Sequence, residues 1–72
     1  MRLIRMKEVT KMTGLSRSYV YKLMNAGQFP KSVPLGYRCA AWVESEVEDW
    51  VLEKISVRDE GNGRVENQVL EI

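Results

Sequence analysis

Between residues 17 and 38 the chain carries side chains suited to one chemistry, the binding of phosphates and base edges. Arg17, Ser18, Tyr21, Lys22 and Asn25 fall close together when the segment is wound as a helix, and Lys31 and the adjacent pair Tyr37 and Arg38 follow. On a projection at about 100° per residue, one face centres on Ser18 and Lys22, with Asn25 beside them. Arg17 and Tyr21 flank that face on one side and Tyr19 on the other. A guanidinium can bond guanine O6 and N7 together or hold a phosphate, an ammonium suits a phosphate, and hydroxyls and amides serve either. A good bidentate base contact discriminates by roughly 1–3 kcal/mol.

Other chemistries lack their parts. The 72 residues hold no histidine and one cysteine, Cys39, so neither an internal disulfide nor a zinc set can be assembled. Cys39 has no nearby histidine or second cysteine to activate it as a nucleophile, and it reads as a small hairpin residue. The acids from Glu44 to Glu53 come without a histidine, a phosphate loop or a ligand spacing, and a solvated helix face accounts for them. An enzyme is therefore not expected, and neither is a cofactor or a metal. No apolar run reaches the ~20 residues of a membrane span and no signal-peptide pattern opens the chain, so the cytoplasm is the expected compartment.

Net charge is only +1, but it is unevenly spread. Residues 1–42 carry eight basic residues against the single acid Glu8, a balance of +7. Residues 43–72 carry Lys54, Arg58 and Arg64 against nine acids, a balance of −6. A small domain polarised in this way offers a basic face to a polyanion.

Short elements must position these groups. Leu3 and Ile4 suit a short strand or an extended lead-in. Met6, Val9, Met12 and Thr13 share a helical face, and Gly14 is placed to end that helix because glycine accepts the left-handed conformation. Leu15 turns inward and Ser16 is a natural N-cap for a second helix, which Val20, Leu23 and Met24 hold to the core. The break at Gly14-Leu15-Ser16 is the corner of a helix-turn-helix.

Lys31 to Trp42 reads as a β-hairpin, with Pro34 suited to an edge and Gly36 supplying the turn. That hairpin suggests a wing with Leu35-Gly36-Tyr37-Arg38 at its tip. Arg38 suits a narrow minor groove, where negative potential concentrates, or in the plainer arrangement an acid of the third helix. Ser45-Glu46-Val47-Glu48 fits a capping box, and Val47, Trp50, Val51 and Ile55 form an apolar stripe on the third helix. Trp42 and Trp50 are core residues by this spacing. The expected fold is mainly α with a small β-hairpin, a winged helix-turn-helix over residues 1–57. Residues 58–72 read as a polar linker and flexible tail.

The chain resembles the AlpA family of small prophage regulators, relatives of phage excisionases with a MerR-like winged helix. The resemblance runs through Leu3-Ile4-Arg5-Met6-Lys7-Glu8-Val9, Thr13-Gly14-Leu15-Ser16-Arg17-Ser18, Val20-Tyr21-Lys22-Leu23-Met24, Gly27 and Phe29-Pro30-Lys31. It continues through Pro34, Leu35-Gly36, Arg38, Trp42, Glu44-Ser45-Glu46-Val47 and Trp50-Val51, covering roughly residues 2 to 55. It implies a sequence-specific protein on double-stranded DNA, acting in transcription regulation or in prophage excision. The second helix would enter the major groove and the wing the minor groove, with Arg17, Ser18, Tyr21, Lys22 and Arg38 at the contacts. Tyr19 departs from a pattern in which a small residue such as threonine is common. Other implied partners are a phage-type integrase and further copies of the chain on adjacent sites. The competing expectation is an adaptor that binds an integrase or another regulator through the acidic third helix or the tail.

Overall fold

A computed structural model describes residues 1–60 of the chain. The element order is β1 (Leu3–Ile4), α1 (Met6–Thr13), α2 (Arg17–Asn25), β2 (Val33–Gly36), β3 (Cys39–Val43) and α3 (Glu44–Glu60). The three strands form an antiparallel sheet in the order β1-β3-β2, with Leu3 opposite Val43 and Ile4 opposite Trp42. The result is the mainly helical winged helix-turn-helix expected from the sequence.

The corner between α1 and α2 is built as its residue types dictate. Gly14 adopts φ 75° and its N–H bonds the Thr10 carbonyl at 2.8 Å, closing α1. No atom crowds the place where a Cβ would stand, so the requirement for glycine here is one of backbone conformation, not of space. Ser16 is extended, and its hydroxyl accepts the Tyr19 N–H at 3.2 Å, capping α2. At the other end of α2, the Gly27 N–H bonds the Met24 carbonyl and the Gln28 N–H bonds the Leu23 carbonyl at 2.8 Å. This is a Schellman closure around Gly27, with φ 73°.

The core is small and draws on every helix. Val9, Val20 and Val47, one from each, are fully buried and meet Ile4, Phe29 and Trp42. Compact β-branched side chains allow three helices to approach closely, and burying each is worth roughly 1.5–3 kcal/mol. Met6, Met12, Leu15, Leu23, Met24 and Trp50 pack around this centre.

Two tryptophans fasten the segment between α2 and β2. The Trp42 indole N–H donates to the Pro30 carbonyl at 3.1 Å, and the Trp50 indole N–H donates to the Gln28 carbonyl at 2.8 Å. Phe29, between those carbonyls, is buried with its ring edge-on to Trp50 at 4.9 Å. Both tryptophans serve the core, as their spacing indicates, but each also makes a polar contact that spacing alone does not reveal.

The structure differs from the sequence expectations in four places. The hairpin turn consists of Tyr37 and Arg38, not Gly36, which pairs with Cys39 at the end of β2. The irregular step between Pro34 and Gly36 moves the turn on, since Pro34 has no N–H for the ladder. Ser45 lies inside the first turn of α3 and is not its N-cap, because α3 starts at Glu44 directly from β3. There the Glu44 N–H bonds the Arg2 carbonyl at 2.8 Å and its carboxylate pairs with Arg2. Helix α3 also continues through Glu60, so Arg58-Asp59-Glu60 are helical where a linker was expected. Ile55, expected in the apolar stripe, is exposed because this part of α3 runs past the core. The linker and tail expected beyond Glu60 lie outside the described residues. Among the described residues, no helix is long and apolar enough to cross a membrane.

The two indole bonds differ in burial, and their removal should differ accordingly. Trp42→Phe leaves the part-buried Pro30 carbonyl without its donor and removes volume from the core, and is expected to cost about 2–4 kcal/mol. Trp50→Phe, at a half-buried site, should cost about 1 kcal/mol. Urea unfolding midpoints check this, and equal losses for the two variants would contradict it.

Candidate nucleic-acid interface

Helix α2 has two faces of opposite character. Val20 is fully buried, and Leu23 and Met24 pack beside it. The remaining positions, Arg17, Ser18, Tyr19, Tyr21, Lys22 and Asn25, are all exposed. No acid interrupts the exposed face, and α2 has none in its first turn. Among the described residues, none of these six side chains takes part in a hydrogen bond or ion pair. The helix therefore presents donors and acceptors whose present partner is water. The cost of removing that water is recovered only by a polar surface that replaces its bonds.

Tyr19 and Tyr21 are exposed to the same degree, 45% and 44%. The sequence projection placed them on opposite flanks of the outer face, and the structure makes both rings equally available.

Lys31 is brought to the end of α2. It lines one shallow depression together with Ser32, Met24 and Asn25. The chain reaches this position through the segment held by Trp50 and Trp42, so the placement of Lys31 depends on the core. Asn25, placed on the outer face by the sequence projection, thus stands beside a cation.

Tyr37 and Arg38 form a separate group at the hairpin tip. Tyr37 is 87% exposed, and the Arg38 guanidinium lies 5.2 Å from the centre of its ring, a cation–π contact between neighbours. Arg38 pairs with no acid among the described residues, so the ion pair with α3 is not formed. Its backbone is left-handed at φ 53°, the one such non-glycine among the described residues. A left-handed arginine costs roughly 1–2 kcal/mol relative to an ordinary conformation, and the residue there is not the glycine that would avoid it. Leu35, also exposed, stands just before the turn.

Cys39 is half-buried in β3 and free. A further cationic group, Arg5, Lys7 and Lys11 along the outside of α1, was not singled out among the site residues from the sequence. The spacing of the two lysines, one helical turn apart, was the signal available.

Comparison with known proteins places this geometry. Residues 2–55 match the family described as prophage CP4-57 regulatory protein (AlpA). An uncharacterized protein of Enterobacteria phage P4, ORF88, is 43% identical over 60 residues, covering 83% of this chain and 68% of that protein. The DNA-binding transcriptional activator AlpA of Escherichia coli strain K12 is 29% identical over 59 residues, covering 74% of this chain and 84% of that protein. With three quarters of its length inside the family match and the helix-turn-helix and wing both within it, the chain belongs to the AlpA family of prophage regulatory proteins.

Proposed function

We propose that this protein is a sequence-specific DNA-binding regulator of phage origin that uses α2 in the major groove and the β2–β3 wing in the minor groove. The observation that carries this is the outer face of α2, six exposed polar or aromatic side chains without an acid or an internal partner. A solvated face with no function would be expected to mix signs, as α3 does with Glu46, Glu48, Asp49, Glu53, Lys54 and Arg58.

The roles follow from the chemistry of each group. Arg17, at the start of α2, reads a guanine edge. Ser18 and Tyr21 bond base edges or phosphates, and Lys22 holds a phosphate. Lys31, at the foot of the wing, holds a second phosphate on the backbone that borders the groove. Arg38, carried on the left-handed turn and steadied by Tyr37, enters the minor groove. The family resemblance and the DNA-binding activator from Escherichia coli support this use of the surface. Both a promoter and an attachment site for excision require the same contacts, and the protein acts at one or the other. At an attachment site an integrase and adjacent copies of the chain would be its partners.

A second reading draws on α3. Leu52, Ile55 and Val57 are exposed large apolar residues on a helix whose first half is acidic, a surface on which an integrase or another regulator could dock. The two readings are compatible, since they use different faces.

Arg17→Ala should reduce discrimination between the preferred duplex and a scrambled one, whereas Lys31→Ala should weaken both alike. Lys31→Ala should also lower the slope of log K against log salt by about 1. Anisotropy titrations at several salt concentrations measure both, and identical behaviour of the two variants would contradict the division of roles. Arg38→Gly relieves the left-handed arginine while adding chain entropy to the unfolded state, so stability should stay within about 1 kcal/mol of the parent. DNA affinity should nevertheless fall, and an unchanged affinity would show that the wing does not touch DNA through Arg38.

A further inference from the structure

The wing tip carries apolar surface in addition to the cation that the groove contact uses. Leu35 is 49% exposed and Tyr37 87%, and neither belongs to the core or to the side chains packed around it. Pro34, Gly36 and Arg38 are exposed with them. No acid occurs between Gln28 and Val43, so the only charges on this segment are Lys31 and Arg38. A turn that faces only solvent is ordinarily built from glycine, asparagine, aspartate or serine. Here leucine, tyrosine and a left-handed arginine stand at or beside it.

Leu35 is the bulged residue of the hairpin. Pro34 pairs with Ala40 and Gly36 with Cys39, which leaves Leu35 without a partner in β3. A bulge of this kind bends its strand and re-aims the side chain it carries. The neighbours leave room for it. Gly36 has no side chain, and no atom lies within 4 Å of where its Cβ would stand. The Tyr37 ring is engaged by the Arg38 guanidinium, 5.2 Å from its centre, so Leu35 is the unengaged apolar group at the tip.

We propose that Leu35 is a wedge that enters one base-pair step of the DNA from the minor groove and partly unstacks it. The proposal rests on the placement of the wing in the minor groove proposed above. Single apolar side chains, leucine among them, serve as such wedges in proteins that work from this groove and bend its DNA. Arg38, across the turn, is drawn to the negative potential of the groove. Leu35 then gains burial between bases, which offsets part of the cost of unstacking them. A protein partner is the competing occupant of this apolar tip. The narrow end of a two-stranded hairpin offers only a few side chains, however, where a standard protein interface takes about 20–30 residues a side. The step entered is expected to be a pyrimidine–purine step, TA or CA, because these unstack most easily.

The test uses the full-length protein on a one-site duplex recovered by selection from a random pool. Adenines of both strands are replaced one at a time by 2-aminopurine, whose fluorescence rises when it is unstacked. The expected result is a several-fold rise confined to one step, lost in Leu35→Ala and retained in Leu35→Met. Thermal melts verify that each variant is folded. Leu35→Ala should keep the parent's slope of log K against log salt, since no phosphate contact is removed. Changing the TA or CA step to AA should weaken the parent roughly tenfold and leave Leu35→Ala almost unaffected. A rise that persists in Leu35→Ala would overturn the wedge. So would the absence of a rise at every position while Arg38→Gly still lowers affinity, a result that would leave the minor-groove contact of the wing standing. No rise together with an unchanged affinity of Arg38→Gly would overturn both the wedge and that contact.

Discussion

The geometry of this small domain depends on two indole N–H groups that bind carbonyls two residues apart. Trp42 reaches Pro30 from the sheet and Trp50 reaches Gln28 from α3, with the Phe29 side chain buried between. The segment so held is the sole covalent connection between α2 and the wing. Three residues fastened from two elements leave little freedom for one to rotate against the other. The proposed engagement of two grooves of one duplex would call for this rigidity more than for a large core. The same bonds satisfy two backbone carbonyls on either side of the one buried residue of the segment, Phe29.

The charge distribution follows from this arrangement. The elements before Trp42 supply the basic surface, and α3, which braces them from beneath through Val47 and Trp50, carries the acids. Arg2 with Glu44 is the one described ion pair that joins the two parts, and it sits where β1 meets the start of α3. Among the described residues, the other cations of the first part form no ion pair. A sequence selected only for stability would be expected to neutralise them, since unpaired like charges on short helices lower stability. Their retention is best understood as readiness for a polyanion.

Much of the fold could be read from local chemistry. Gly14 and Ser16 announce the corner, and the inward row of Val20, Leu23 and Met24 identifies the buried face of α2 and so its outer face. The hairpin and third helix were legible from Pro34, Gly36 and the apolar stripe beginning at Val47. What escaped the sequence depends on contacts distant along the chain. Helix α3 starts at Glu44 directly from β3, whose pairing with β1 brings the Arg2 carbonyl to the Glu44 N–H, so Ser45 does not act as the cap its type suggests. The bulge after Pro34 moves the turn onto Tyr37 and Arg38 and forces Arg38 left-handed, a conformation that residue type argues against. The end of α3 was misjudged because Arg58-Asp59-Glu60 is polar, although a helix that has left the core needs no apolar face. The outer residues of α2 were recognisable as a set, but the near-equal exposure of Tyr19 and Tyr21 emerges only from how the helix packs on the core.

In the proposed complex, α2 and the wing engage the two grooves of one duplex at a separation set by the tryptophan-held segment. Methylation interference tests it most directly, since methylation at guanine N7 obstructs the major groove and at adenine N3 the minor groove. The account predicts one cluster of N7 positions that blocks binding and a distinct cluster of N3 positions about half a helical turn, or roughly 5 base pairs, away. Interference confined to one groove, or the absence of any position that interferes, would contradict it.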